Sequence, residues 1–119
     1  PGGPYSSPPG SSTLNQSVLG ATAGIVFNEN KRIVSNGNIT IHLTMTEARL
    51  FQILWNRRNE MLLHVELVQQ THGYQVTVSE ASKILRPVVS RLRKKLSVFP
   101  KGEDWIKNVR GTGYLMGDF

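Results

Sequence analysis

The sequence predicts an α+β domain in which a small antiparallel sheet is followed by three helices and a closing β-hairpin. Three observations predict it. Short apolar runs broken by turn residues occupy positions 25–44, apolar residues recur at spacings of three and four between 45 and 96, and two strand-like runs flank a Gly-x-Gly turn near the C-terminus. A length of 119 residues allows one such domain and no second large one. With 39% hydrophobic and 18% charged residues, the chain can fold around one modest core.

Residues 1–24 stand apart. Pro, Gly and Ser supply 14 of these 24 positions and none is charged. Too little apolar surface is available to offset the entropy of ordering, so the stretch reads as a flexible linker or a tag-derived tail, with the domain over 25–119. Within the domain, Ile25-Val26-Phe27, Ile33-Val34 and Ile39-Thr40-Ile41-His42-Leu43 are separated by Asn28-Glu29-Asn30 and Ser35-Asn36-Gly37-Asn38. Asn36-Gly37 marks a hairpin, and the alternation of Ile39, Ile41 and Leu43 with Thr40 and His42 marks a half-buried strand. Three or four antiparallel strands are expected here.

Thr44-Met45-Thr46-Glu47 fits a capping box, in which the Thr44 hydroxyl accepts from the third helical amide and Glu47 reaches back to the cap. The first helix then runs over about 45–58, with Ala48, Leu50, Phe51, Leu54 and Trp55 on one face. Met61-Leu62-Leu63 is a short strand, and a second helix over about 64–72 ends at Gly73, a residue suited to the left-handed position after a helix.

The third helix carries Leu85, Val89, Leu92 and Leu96 within about 60° of one another, a core stripe at 100° per residue. Lys83, Pro87, Ser90 and Lys94 fall opposite, flanked by Arg86 and Arg93 on one side and Arg91 and Lys95 on the other. Pro87 obstructs an uninterrupted helix, because an interior proline removes a backbone bond. A start near Ser82 with local distortion at Pro87 is expected, in preference to an earlier start capped by Thr77-Val78-Ser79-Glu80. Trp105 to Arg110 and Tyr114 to Met116 then form the hairpin, with Arg110 at its tip. Trp55 and Trp105 read as core or hairpin-packing residues.

Charge is concentrated. The net charge is +6, yet residues 83–110 hold nine basic and two acidic residues and the remainder is slightly acidic. A cationic segment on one helix and one hairpin points to a polyanion, either nucleic acid or an acidic membrane surface. Zero cysteines exclude disulfides, zinc fingers and thiol nucleophiles, and they suit a reducing cytoplasm. No apolar run reaches the roughly 18 residues of a membrane span. His42, His64 and His72, 22 and 8 residues apart, lack metal-site spacing, and each reads as exposed. Ser79 and Ser90 have no evident His or Asp partner. No enzyme, cofactor or metal is expected.

Three stretches taken together resemble one known family: Leu43-Thr44-Met45-Thr46-Glu47-Ala48-Arg49-Leu50, Val89-Ser90-Arg91-Leu92-Arg93-Lys94-Lys95-Leu96 and Val109-Arg110-Gly111-Thr112-Gly113-Tyr114. In order and separation they are similar to the signature stretches of OmpR/PhoB winged-helix domains, the output halves of bacterial response regulators. The resemblance implies a winged helix-turn-helix: an N-terminal antiparallel β-sheet, a three-helix bundle whose last helix reads the DNA major groove, and a β-hairpin wing in the minor groove. By that likeness Arg91 reads bases, Arg93 and Lys94 contact backbone or bases, Lys83 contacts a phosphate, and Asn108, Arg110 and Thr112 belong to the wing contact. Arg86, Ser90 and Lys107 complete the expected DNA-facing set from their place on the outward face and the hairpin. Arg suits guanine O6 and N7 or a narrow minor groove, whereas Lys suits phosphates.

The resemblance further implies double-stranded DNA with direct-repeat promoter sites as the partner, head-to-tail pairing of two copies on it, and a cytoplasmic setting. It implies a phosphorylatable receiver domain outside this chain, since nothing before Ile25 is acidic. RNA polymerase is a candidate contact of the 74–82 segment. Alternatives are the winged helix of a membrane-anchored activator of the ToxR/CadC type, or a winged helix that docks polymerase without reading DNA. Leu63 stands where the family usually caps the second helix, and His72 where an aromatic residue is usual.

Overall fold

The computed structural model describes residues 24–117. The expected tether therefore lies outside the described residues, apart from Gly24. Strands β1 (Val26–Asn28), β2 (Ile33–Ser35) and β3 (Thr40–His42) form an antiparallel sheet in the order β1-β2-β3, with Val34 opposite Phe27 and Ile41. The β2–β3 hairpin turns where Asn36-Gly37 predicts it. The Asn36 side-chain oxygen accepts from the backbone N–H of Asn38 at 3.0 Å and of Ile39 at 2.8 Å.

Helix α1 (Met45–Asn56) starts at the expected box: Thr44 Oγ1 accepts from Glu47 N at 3.2 Å, and Glu47 Oε1 accepts from Thr44 N at 3.0 Å. Two orphan amides are thereby satisfied. Phe51 packs on Phe27 of the sheet and stacks with Trp55, tying the sheet to the bundle. Strand β4 (Leu62–Leu63) leads into α2 (His64–His72), which stops at Gly73 with φ 81°. Leu63 gives α2 no side-chain cap. The His64 amide donates instead to Thr112 O of the closing hairpin at 3.2 Å, so the wing satisfies this helix end.

Helix α3 spans Val78–Leu96, which corrects the expected start near Ser82. Thr77 caps it through a second reciprocal box: Thr77 Oγ1 accepts from Glu80 N at 3.2 Å, and Glu80 Oε1 accepts from Thr77 N at 3.1 Å. The helix carries Pro87 through its exposed face. Burial of Leu85, Val88, Val89, Leu92 and Leu96 at about 1.5–3 kcal/mol each outweighs an interior proline at about 3 kcal/mol. The segment 74–82 is thus a loop only as far as Thr77. Because Pro87 has no N–H, the Lys83 carbonyl lacks its helical donor. Pro87→Ala restores that bond, and a gain of about 1–2 kcal/mol in urea unfolding is expected after the entropy that proline removes from the unfolded chain is subtracted.

After a short 3-10 turn (Gly102–Asp104), β5 (Ile106–Val109) and β6 (Gly113–Met116) form the hairpin, and β4 joins β6 to give a second sheet in the order β4-β6-β5. Trp105 is buried and stacks on Phe99 at 5.7 Å, as a hairpin-packing residue should. Trp55 is half-buried. One core joins all these elements, with Leu50 and Leu54 of α1, Leu67 and Val68 of α2, the α3 stripe, and Ile106, Tyr114 and Met116 of the hairpin. Among the described residues, three helices, a helix-turn-helix formed by α2 and α3, and a C-terminal wing make a winged helix-turn-helix.

Candidate nucleic-acid interface

The stripe that fixes α3 in the core also fixes which residues face outward. Arg86, Pro87, Ser90, Arg91 and Lys94 are exposed along the helix, as is Lys83 one turn earlier. The wing adds Asn108 and Arg110, both exposed, with Arg110 beginning the turn that Thr112 N closes on Val109 O at 2.9 Å. Lys83, Arg86, Asn108 and Arg110 come together around a groove of about 610 Å³ between the first half of α3 and the wing. Ser90, Arg91 and Lys94 continue the face along the second half of the helix. The cationic segment is therefore one surface built on two elements.

Not every expected contact faces that surface freely. Arg93 turns toward the wing, where its Nε and Nη2 donate to Ile106 O at 3.1 and 2.7 Å and its guanidinium lies over the Tyr114 ring. This fork locks α3 to β5. Thr112 and Lys107 are half-buried on the hairpin, and the Thr112 backbone bridges Val109 and His64.

Arg91 has a partner that the sequence did not reveal. Its Nε lies 3.4 Å from Glu47 Oε2, while Lys95 Nζ donates to Glu47 Oε1 at 2.6 Å and to His42 O at 3.1 Å. Glu47 is only 1% exposed. Burial pushes its carboxyl up, but the bonds from Lys95, the Thr44 amide and Arg91, with the nearby Lys95 charge, outweigh this and hold it below the usual carboxylate range. The capping carboxylate of α1 thus anchors Arg91 at its Nε, while the Arg91 side chain as a whole remains 56% exposed.

His64 corrects the expectation of an exposed side chain. It is 5% exposed, lies edge-on to Tyr114, lines the groove beside Arg86, and has no partner for Nδ1. Burial and the Arg86 charge hold its pKa below the ordinary 6.5. His42 is exposed, and His72 is half-buried with Nδ1 2.7 Å from Thr71 Oγ1. Among the described residues no group of three His, Asp or Glu side chains converges as a metal site would require, and no helix is long and apolar enough to cross a membrane.

Residues 37–116 match the family described as "Transcriptional regulatory protein, C terminal". The chain belongs to that family, of the OmpR/PhoB type. It is 34% identical over 86 residues to the probable transcriptional regulator ycf27 of Guillardia theta, covering 72% of this chain and 34% of that protein. Against the transcriptional regulatory protein CpxR of Escherichia coli K12 it is 31% identical over 107 residues, covering 90% of this chain and 43% of that one. The chain thus spans less than half the length of these relatives. Among solved structures, the DNA-binding domain of E. coli CpxR superposes with a TM-score of 0.65 at 30% identity, covering 78% of this chain and 89% of that one. The C-terminal domain of the lantibiotic response regulator NsrR superposes with a TM-score of 0.63 at 25% identity, covering 78% and 90%. In this OmpR/PhoB-type domain the outward α3 face and the wing tip are the cationic surface, and the sheet β1–β3 packs on α1 through Phe27 and Phe51.

Proposed function

We propose that the domain binds double-stranded DNA sequence-specifically, with α3 in a major groove and the wing in the adjacent minor groove, as the output half of a response regulator. The observation that carries this is the shared cationic surface: Lys83, Arg86, Lys94 and Arg110 are exposed on one helix and one hairpin, and among the described residues they hold no salt bridge. A protruding helix with a fixed register is the shape that fits the major groove, and Arg at a narrow minor groove meets enhanced negative potential. Arg91 and Arg110 read sequence. Lys83, Arg86, Lys94 and Lys107 hold phosphates, Ser90 and Asn108 add hydrogen bonds, and Thr112 and Arg93 support the wing and its approach.

The similarity to the NsrR domain favours a receiver domain elsewhere in the full protein over a membrane anchor, and direct-repeat sites with two copies head to tail complete the reading. Polymerase contact is assigned to the 74–77 part of the 74–82 segment, exposed except at Val76. Selection from randomised duplexes tests the reading. A preferred sequence retained at about 100–200 mM salt is expected, and binding that shows no preference there overturns sequence specificity. Arg91→Ala should relax base choice at a cost of about 1–3 kcal/mol, whereas Lys94→Ala should weaken all sequences alike and lower the salt slope by about one. Identical behaviour of the two variants overturns the division of roles.

A further inference from the structure

The groove between α3 and the wing holds a buried side chain that the DNA-reading surface does not explain. His64 lies at the start of α2, walled by Lys83 and Arg86 of α3 and by Arg110 and Tyr114 of the wing, with the Ser79, Ser82 and Asn108 side chains also lining the space. No carboxylate is among those lining residues. Three cations line the groove, with Glu80, which acts electrostatically on Lys83, outside its lining, and the His64 Nδ1 nitrogen is buried without a partner. Elsewhere the same fold neutralises clustered cations internally, as Glu47 does for Arg91 and Lys95. A groove left cationic beside an unpartnered imidazole is built to be completed from outside.

We propose that this groove seats one backbone phosphate of the bound duplex and that His64 takes up a proton as the phosphate arrives, so that DNA affinity rises as the pH falls. This rests on the DNA-binding reading above. A phosphate drawn in by Lys83 and Arg86 supplies negative charge beside the ring, which offsets Arg86 and favours the protonated imidazole. The sign follows from linkage. In the free domain burial and Arg86 disfavour the charged ring, while in the complex the phosphate favours it, so the complex holds more protons than the separated partners. Affinity therefore strengthens as the pH falls through the interval between the two midpoints, by up to about tenfold per pH unit for one proton.

The test uses the 119-residue chain and a fluorescein-labelled mixed-sequence duplex at constant ionic strength. Anisotropy titrations between about pH 6 and pH 8 should show wild type binding roughly fivefold more tightly at the lower pH, with His64→Gln flat across the range. Thermal melts establish that the variant is folded. Independently of any variant, NMR titration of the wild-type imidazole signals should give a higher His64 midpoint with DNA than without. Equal pH dependence in both proteins, or the same His64 midpoint with and without DNA, overturns the proposal while leaving DNA binding in place. Failure to bind the duplex at any pH overturns the DNA-binding reading itself.

Discussion

Glu47→Gln is expected to destabilise the domain by about 2–3 kcal/mol, although it alters a side chain near a helix end by a single functional group. Glutamine preserves the shape and the reach back to the Thr44 amide, so the capping box survives and only the charge is lost. What remains is a neutral amide between two cations, with Lys95 Nζ and Arg91 Nε deprived of their carboxylate. Removing one partner of a fully buried pair costs about 3–5 kcal/mol. Lys95 and Arg91 both retain access to water, so the expected cost falls below that range. The pH dependence follows from the direction of the shift. The Glu47 carboxyl titrates lower in the folded chain than in the unfolded one, so its contribution is present in full above its unfolded value and is lost as the pH falls through the folded value. Urea unfolding of both proteins should therefore show a gap at neutral pH that narrows in acid. A gap independent of pH would falsify the electrostatic account.

The same residue shows what can be read from sequence and what cannot. The Thr44 capping box, the 64–72 span of α2 and the Gly73 stop are local signals whose partners lie within a few residues, and all three stand in the structure. The core stripe of α3 was legible for the same reason, since 3.6-residue periodicity needs no knowledge of the rest of the fold. Local signals also conflict. At α3 the Thr77 box and Pro87 pointed to different starts, and the conflict is resolved by tertiary burial, which no local window contains. At Glu47 the box was visible, but its Arg91 and Lys95 partners lie 44 and 48 residues away in sequence. His64 belongs to the same class: its burial requires the wing to close over the start of α2. The sequence thus revealed the outward cations of the interface, which are set by helix phase, and concealed the groups beneath them, which are set by packing between elements.

Gly113→Ala is expected to be strongly destabilising for a single added methyl group. In the sequence the Gly111-Thr112-Gly113 run reads as turn chemistry, but the two glycines do different work. Gly111 has φ 73° with nothing within 4 Å of an added Cβ, so Gly111→Ala meets only the left-handed backbone penalty of about 1–2 kcal/mol. Gly113 has no such backbone constraint. A Cβ there would stand 1.8 Å from Leu62 O and 2.7 Å from Leu62 C, both backbone atoms of β4. Neither can swing aside, so β4 and β6 must separate and the pairing of Leu62 with Tyr114 and Leu63 with Gly113 is lost. Overpacking of this kind costs about 3 kcal/mol or more. The structural consequence reaches the interface, because the same closure supplies Thr112 O to the His64 amide and aligns Tyr114 under Arg93. A wing displaced from β4 carries Arg110 and Asn108 away from Lys83 and Arg86. Urea unfolding should therefore place Gly113→Ala below Gly111→Ala in stability, and DNA titration under conditions where both are folded should show the larger loss of affinity in Gly113→Ala. Equal stability of the two variants would show that β4 yields to the methyl group, and with it that the close approach of Leu62 does not hold the wing in place.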